Sequence, residues 1–222
     1  MGASRLPNKM LLHLHGSPVI EWVFRRVSMA QSLDEVVFAL PEGKRDDVLA
    51  SYLETLGAKV FRGNESDLVD RYYKAANAVG ADKVVRVCAD NPLIAASEID
   101  RLVAFYDANP CDYAYNHIPR GNSYPDGLGA EICSRVLLND IHANATSKEH
   151  REHLFNYIWD NHGSYRIRTF EPDDELAHPE LKLDLDTVDD YLALLAMPIT
   201  PDMSAASVVS LALQSLSINH HS

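Results

Sequence analysis

The sequence predicts an α/β chain folded around a mostly parallel, doubly wound sheet. Three observations carry this. Short apolar runs alternate with amphipathic stretches, the connections between them are brief, and no repeat, low-complexity tract or Gly/Ser linker interrupts the 222 residues. Strand–helix alternation with short crossovers builds right-handed βαβ units on one sheet. The length suits a single domain spanning 1–222.

The elements follow in order. A helical pattern runs from 18 to 30, and the apolar run 35–40 stops at Pro41, as a buried strand would. A second helix is expected over 44–56, with Gly57 just past its end, where a left-handed cap is common. The run 58–62 halts at Gly63, and Ser66 is placed to cap a third helix over 66–79 that ends before Gly80. The strand 83–87 then runs into Asp90-Asn91-Pro92. The second half is less regular: a strand over 112–116, a polar loop from 117 to 126, helices over 134–144 and 148–161, and an alternating strand over 165–170. A helix begins near Thr187, and another follows Pro201.

Charge narrows the function classes. A net charge of -12 argues against broad binding to nucleic acid or an anionic membrane, both of which require a basic face. There is no apolar stretch of about 18 residues to span a membrane, and no secretion signal is legible, so a cytoplasmic location is the expectation. The three cysteines are widely spaced with no CxxC pair, which reads as free thiols in a reducing compartment.

Polar residues just beyond strand ends matter, because open α/β sheets bind ligands there. Three groups stand out. The first is Gly2-Ala3-Ser4-Arg5 leading to Asn8-Lys9: small residues let the backbone approach a phosphate, and two cations stand in an acidic chain. By composition alone it is also a frayed end, and it lacks the GKS/T ending of a P-loop. The second is Asp90, with Asn91, at the end of a strand. A carboxylate there suits a hard cation, although Asp-Asn-Pro is also turn chemistry. The third is Lys182 followed by Asp184 and Asp186, which alternation puts on one face opposite Leu183 and Leu185. Neighbouring carboxylates repel, so a cation is one reason to pair them; capping the helix at Thr187 is another. Neither a Ser-His-Asp nor a Cys-His nucleophile is evident.

In their order along the chain, Gly2 to Leu11, Gly16 to Trp22, Phe61 to Glu65, Asp70 to Tyr73, Asp90 to Ile94, Tyr124 to Glu131, Arg151 to His153 and Asp184 to Thr187 resemble the CMP-sugar synthetase-like cytidylyltransferases. Within that group the branch of spore-coat polysaccharide biosynthesis proteins is the best match. The resemblance implies a Rossmann-like nucleotidyltransferase fold of GT-A type. It also implies Mg²⁺ as cofactor, CTP and an acidic sugar as substrates, and a homodimer serving surface polysaccharide synthesis. By the same resemblance Gly2, Ala3, Ser4, Arg5 and Lys9 line the triphosphate and Arg71 lies near the base. Arg5, Lys9 and Asp90 carry catalysis, and Asp90, Asp184 and Asp186 hold the metal. Asn91, Asp126, Glu131, Arg151, Glu152, His153 and Lys182 are acceptor-side or dimer-side, with His153 alternatively a buried structural histidine.

Three departures accompany the match. The family opens with an apolar strand and an alanine-arginine pair ahead of the glycine loop, whereas here the loop opens the chain. The expectation is therefore a first central strand missing from this chain, with Met1 an internal methionine or the chain a fragment. Lys182 stands where arginine is usual, keeping charge but losing the bidentate fork. Asn8 replaces a glycine, tolerable because asparagine visits the left-handed region readily. Two rivals stay open at this point. One is a glycosyltransferase of related fold, whose Asp-x-Asp motif Asp184 to Asp186 mimics. The other is a non-catalytic nucleotide-sugar-binding protein.

Overall fold

A computed structural model describes residues 6–219. The chain opens with a 3-10 turn, Lys9–Leu11, and a minimal hairpin of β1 (His13–Leu14) and β2 (Ser17–Pro18) that leads into α1 (Val19–Val27). Two parallel strands follow, β3 (Val37–Pro41) and β4 (Lys59–Gly63), joined through α2 (Asp47–Thr55). Helix α3 (Leu68–Val79) crosses to β5 (Lys83–Arg86), and α4 (Ala96–Ala108) crosses to β6 (Tyr113–Tyr115). Then come β7 (Glu131–Ser134), α5 (Arg135–Asn144), α6 (Lys148–Glu152), α7 (Asn156–Asp160), β8 (Ile167–Arg168), α8 (Val188–Ala196) and α9 (Ala205–Asn219).

The α/β class stands, but the sheet is mixed. β3 and β4 are parallel, whereas β5, β7 and β6 form an antiparallel run, with β8 parallel to β6. The reason is topological. The loop after β6 returns directly as β7 and inserts between β5 and β6 without a helical crossover, so β7 must run opposite to both. Apolar clusters lie on both sides of these strands. Trp22, Leu93, Leu128 and Val208 form one, while Tyr113, Leu138, Phe155 and Ile158 form another.

Local signals hold at most ends. Gly57 and Gly80 adopt φ of 78° and 68°, and Asn8 sits at φ 58°, all left-handed. Other expectations needed correction. Asp67, not Ser66, caps α3, its carboxylate accepting from the Asp70 N–H at 2.8 Å. Ser66 instead donates its N–H to the Asn64 side chain. The helix expected over 148–161 breaks between α6 and α7, because Leu154 and Phe155 turn into the core and interrupt the helical repeat. The strand expected over 165–170 shortens to Ile167–Arg168 because only that stretch finds a partner, in β6. Among the described residues, no helix is long and apolar enough to cross a membrane.

Candidate active site

Three loops meet at the carboxyl end of β5. The first is the turn after that strand. Its Asn91 N–H donates to the Cys88 carbonyl and its Ile94 N–H to the Asn91 carbonyl, which leaves Asp90 at the crest. The second contains Asp126. The third, residues 181–186, is stitched to both. Asp126 donates to the Leu181 carbonyl at 3.0 Å, Leu183 donates to the Asp126 carbonyl at 2.9 Å, and Leu185 donates to the Asp90 carbonyl at 2.7 Å. Leu181, Leu183 and Leu185 are buried, so the alternate residues Lys182, Asp184 and Asp186 turn the other way. The face read from the sequence is therefore present, although this stretch pairs only through a bridge of Lys182 with Asp126.

Glycines make the close approach possible. Gly127 has φ +89°, and a Cβ there would lie 2.7 Å from the Asp184 nitrogen. At Gly129 a Cβ would land on the Asn116 carbonyl. Only glycine lets the loop lie flat against both neighbours.

Lys9 completes the arrangement. Met10, beside it, is anchored among Phe38, Leu40 and Ile20. The Lys9 ammonium donates to Asp90 Oδ2 at 2.8 Å, to the Leu185 carbonyl at 2.7 Å and to Asp186 Oδ1 at 3.1 Å. Burial works against its charge, but Asp90 and Asp186 outweigh that and raise its pKa. The carboxylates around it remain crowded. Burial, with help from Asp184, pushes Asp126 up to about 6, and burial likewise raises Asp184. Burial thus disfavours the charged forms of Asp126 and Asp184, a cost that a nearby cation would offset.

The donor chemistry fits a hard divalent cation: two carboxylates and a carbonyl already converge on one ammonium. Among the described residues no three His, Cys, Asp or Glu side chains form a ready cage. Mg²⁺ commonly takes one or two carboxylates and completes its shell with water and substrate phosphates. Asp184 faces Lys182 at 3.1 Å rather than Lys9. Nor does Asp186 cap the helix. That task falls to Thr187 and Asp190 in a capping box. Burial would raise Asp190, but the Lys182 ammonium and the N–H groups of Asp186 and Thr187 bring it down to about 2.

The remaining expected residues divide. Gly2, Ala3, Ser4 and Arg5 lie outside the described residues. Arg71 is buried and donates to the Asn64 and Glu65 carbonyls, while its Nε has no partner. Asn91 is buried within its turn. Arg151 grips Asp67 through Nε and Nη2 at 2.8 and 2.6 Å, tying α6 to the start of α3. Glu152 and His153 are exposed beside it, which overturns the buried reading of His153, because its helix ends at the surface.

Glu131 is neither rim nor surface. It is buried on β7, opposite Arg86 in the β5 register, and pairs with Arg86 and Tyr113, with the His117 ring at 3.7 Å. Burial alone would raise its pKa, yet Arg86, His117 and Tyr113 hold it below the usual range. Burial keeps His117 neutral-leaning by lowering its pKa. Sequence reasoning missed Arg86, Tyr113 and His117, because only antiparallel register brings them to Glu131. Cys88 offers no nucleophile: burial drives its thiol up to about 12.

Comparison with known proteins converges on one answer. The family model for cytidylyltransferases matches residues 1–190. This chain belongs to the cytidylyltransferase family. Among relatives, an uncharacterized protein of Methanocaldococcus jannaschii is 32% identical over 190 residues, covering 86% of this chain and 76% of its own. The spore coat polysaccharide biosynthesis protein SpsF of Bacillus subtilis is 28% identical, covering 95% and 90%. Among solved structures, a cytidylyltransferase from Leptospira borgpetersenii superposes with TM-score 0.89 at 25% identity, covering 98% of this chain and 92% of that one. A CMP:2-keto-3-deoxy-manno-octonic acid synthetase complexed with CTP shares the fold, with TM-score 0.64 at 19% identity and coverage of 96% and 95%. The nucleotidyltransferase fold expected from the resemblance is thereby borne out, and so is the enzyme class. In this cytidylyltransferase the polar end of β5 is where Lys9, Asp90 and Asp186 meet.

Proposed function

We propose that this cytidylyltransferase joins CTP to an acidic sugar, releasing pyrophosphate and forming a CMP-sugar for surface polysaccharide synthesis. The observation that carries the reading is the Lys9 ammonium held between Asp90 and Asp186 at the carboxyl end of β5. A cation enclosed by carboxylates there marks where positive charge is needed. In this reading Asp90 and Asp186 hold Mg²⁺, which would neutralise charge on the phosphates.

The chain's own residues supply positioning and proton handling. A sugar hydroxyl oxygen forms a bond to the α-phosphorus while the bond from that phosphorus to the bridging oxygen breaks, and pyrophosphate leaves with the electron pair. Such transfers need alignment and charge neutralisation rather than a covalent enzyme nucleophile. Lys9, freed from the carboxylates, would place its ammonium on the phosphates. The hydroxyl proton passes to the Asp126 carboxylate, whose pKa of about 6 suits a base working near neutrality.

A pyrophosphate-release assay with Mg²⁺, four nucleoside triphosphates and a panel of keto-acid sugars tests this. Release with CTP and a keto-acid sugar is expected. Equal turnover with ATP or GTP, or none with any keto-acid sugar, would overturn it. The reading includes a homodimer, as the resemblance implies, and sedimentation velocity showing only monomer would remove that part.

A further inference from the structure

Alternation along β6 carries past the end of the strand. Tyr113 and Tyr115 turn to one side, and His117, two residues on, turns the same way. Its ring meets Tyr115 edge to face at 5.9 Å, and its Nε2 stands 3.7 Å from Glu131 Oε1. The side chain is only 15% exposed. The backbone is anchored as well: the His117 carbonyl accepts from the Gly127 N–H at 3.0 Å, which closes the loop 117–127. Gly127 follows Asp126 in the chain and packs against the Asp184 backbone. His117 therefore stands where the Glu131 network borders the carboxylate cluster.

One atom of that ring is left over. Nδ1 is buried and has no hydrogen-bond partner among the described residues. Its neighbours are already committed. The Arg86 guanidinium and the Tyr113 hydroxyl donate to Glu131, and the Tyr115 hydroxyl donates to the Arg120 carbonyl. Buried polar atoms are almost always paired, because an unpaired one has lost its bond to water and gained none. Burial also lowers the His117 pKa, so the ring is neutral and holds one proton. The Glu131 carboxylate, on the Nε2 side, favours the proton there. Nδ1 is then a lone pair, oriented by Glu131 and Tyr115, that can only accept.

We propose that His117 is a substrate-binding residue whose Nδ1 accepts a hydroxyl of the sugar acceptor, and that Glu131 is its positioning residue. This role rests on the proposed reaction, in which Asp126 takes the proton of the reacting hydroxyl. A sugar has further hydroxyls, and His117 holds one of them. A carboxylate brings no proton to a lone pair, so the acid group of the sugar lies away from this ring. A site built around one hydroxyl discriminates sharply against the sugar that lacks it, since the buried nitrogen is then unpaired again. His117 thereby selects among acidic sugars by their hydroxyl pattern.

Steady-state kinetics and thermal melting of His117→Phe and His117→Gln test this. Phenylalanine keeps a ring without nitrogen, whereas glutamine keeps an acceptor. The Phe variant should raise KM for the keto-acid sugar about tenfold or more and leave KM for CTP unchanged. Its melting temperature should equal or exceed that of the parent chain, because an unpaired buried atom has been removed. The Gln variant should recover most of the lost sugar affinity. His117→Leu repeats the comparison if the larger ring prevents folding. In a parent chain that turns over, an unchanged sugar KM, or a rise shared by CTP, overturns the assignment of His117 alone. Unfolding of both the Phe and the Leu variants does the same. A parent chain with no turnover on any keto-acid sugar overturns the proposed reaction, and this assignment with it.

Discussion

Two charge clusters sit near the same strand, and they are built on opposite principles. Around Glu131, acid meets base: Arg86, Tyr113 and His117 surround one carboxylate that is itself almost fully buried. Around Lys9, like meets like. Asp90, Asp126, Asp184 and Asp186 crowd together, and one ammonium with a side chain 12% exposed partly neutralises them. The charges of the first cluster are balanced without a ligand. The second leaves Asp126 and Asp184 with raised pKa values, and that difference sets a structural network apart from a candidate binding site.

Substitutions can break this contrast. The largest effect is expected at Glu131. Glu131→Leu leaves the partly buried Arg86 guanidinium without its carboxylate and should lower stability by about 3 kcal/mol in urea titration. At the other cluster Asp90→Ala should leave the urea midpoint nearly unchanged and lower turnover by about a hundredfold or more, measured as pyrophosphate release. Reversed outcomes, an Asp90 variant that unfolds and a Glu131 variant that melts normally, would dissolve the distinction.

Smaller effects sharpen it. Lys9→Met removes the competing ammonium, so Mn²⁺ alone, followed by electron paramagnetic resonance, should bind about tenfold more tightly. Unchanged affinity would mean that Lys9 does not occupy the cation position. The smallest effect is at Asp126, whose folded pKa of about 6 stands above its ordinary 3.8. Such a group favours the folded state fully below pH 3.8, and that contribution is lost as pH rises through about 6. Asp126→Asn should therefore raise the melting temperature in chelator at pH 7.5, by about 2 °C or more, and by less than about half as much at pH 4.5.

The legible part of the molecule was local. Gly57 and Gly80 were read from residue type alone, and Asn8 from its place where the resembling family carries glycine, since few other residues tolerate positive φ. The alternation of Leu183 and Leu185 with Asp184 and Asp186 was equally readable, and it oriented one wall of the site correctly. The role of Glu131 was not readable, because its partners come from β5, β6 and the loop after β6. Nor could spacing reveal that Asp184 faces Lys182 while Asp186 faces Lys9.

By itself the sequence determined the α/β class, most helix and strand positions, and the set of carboxylates and cations on which the chemistry draws. These depend on periodicity, residue type and near neighbours, which are written along the chain. The tertiary structure decided which charges became a sealed network and which an open site. It also decided that β7 inserts antiparallel between β5 and β6. Those outcomes depend on contacts between distant segments, whose register is set by packing rather than by any local preference.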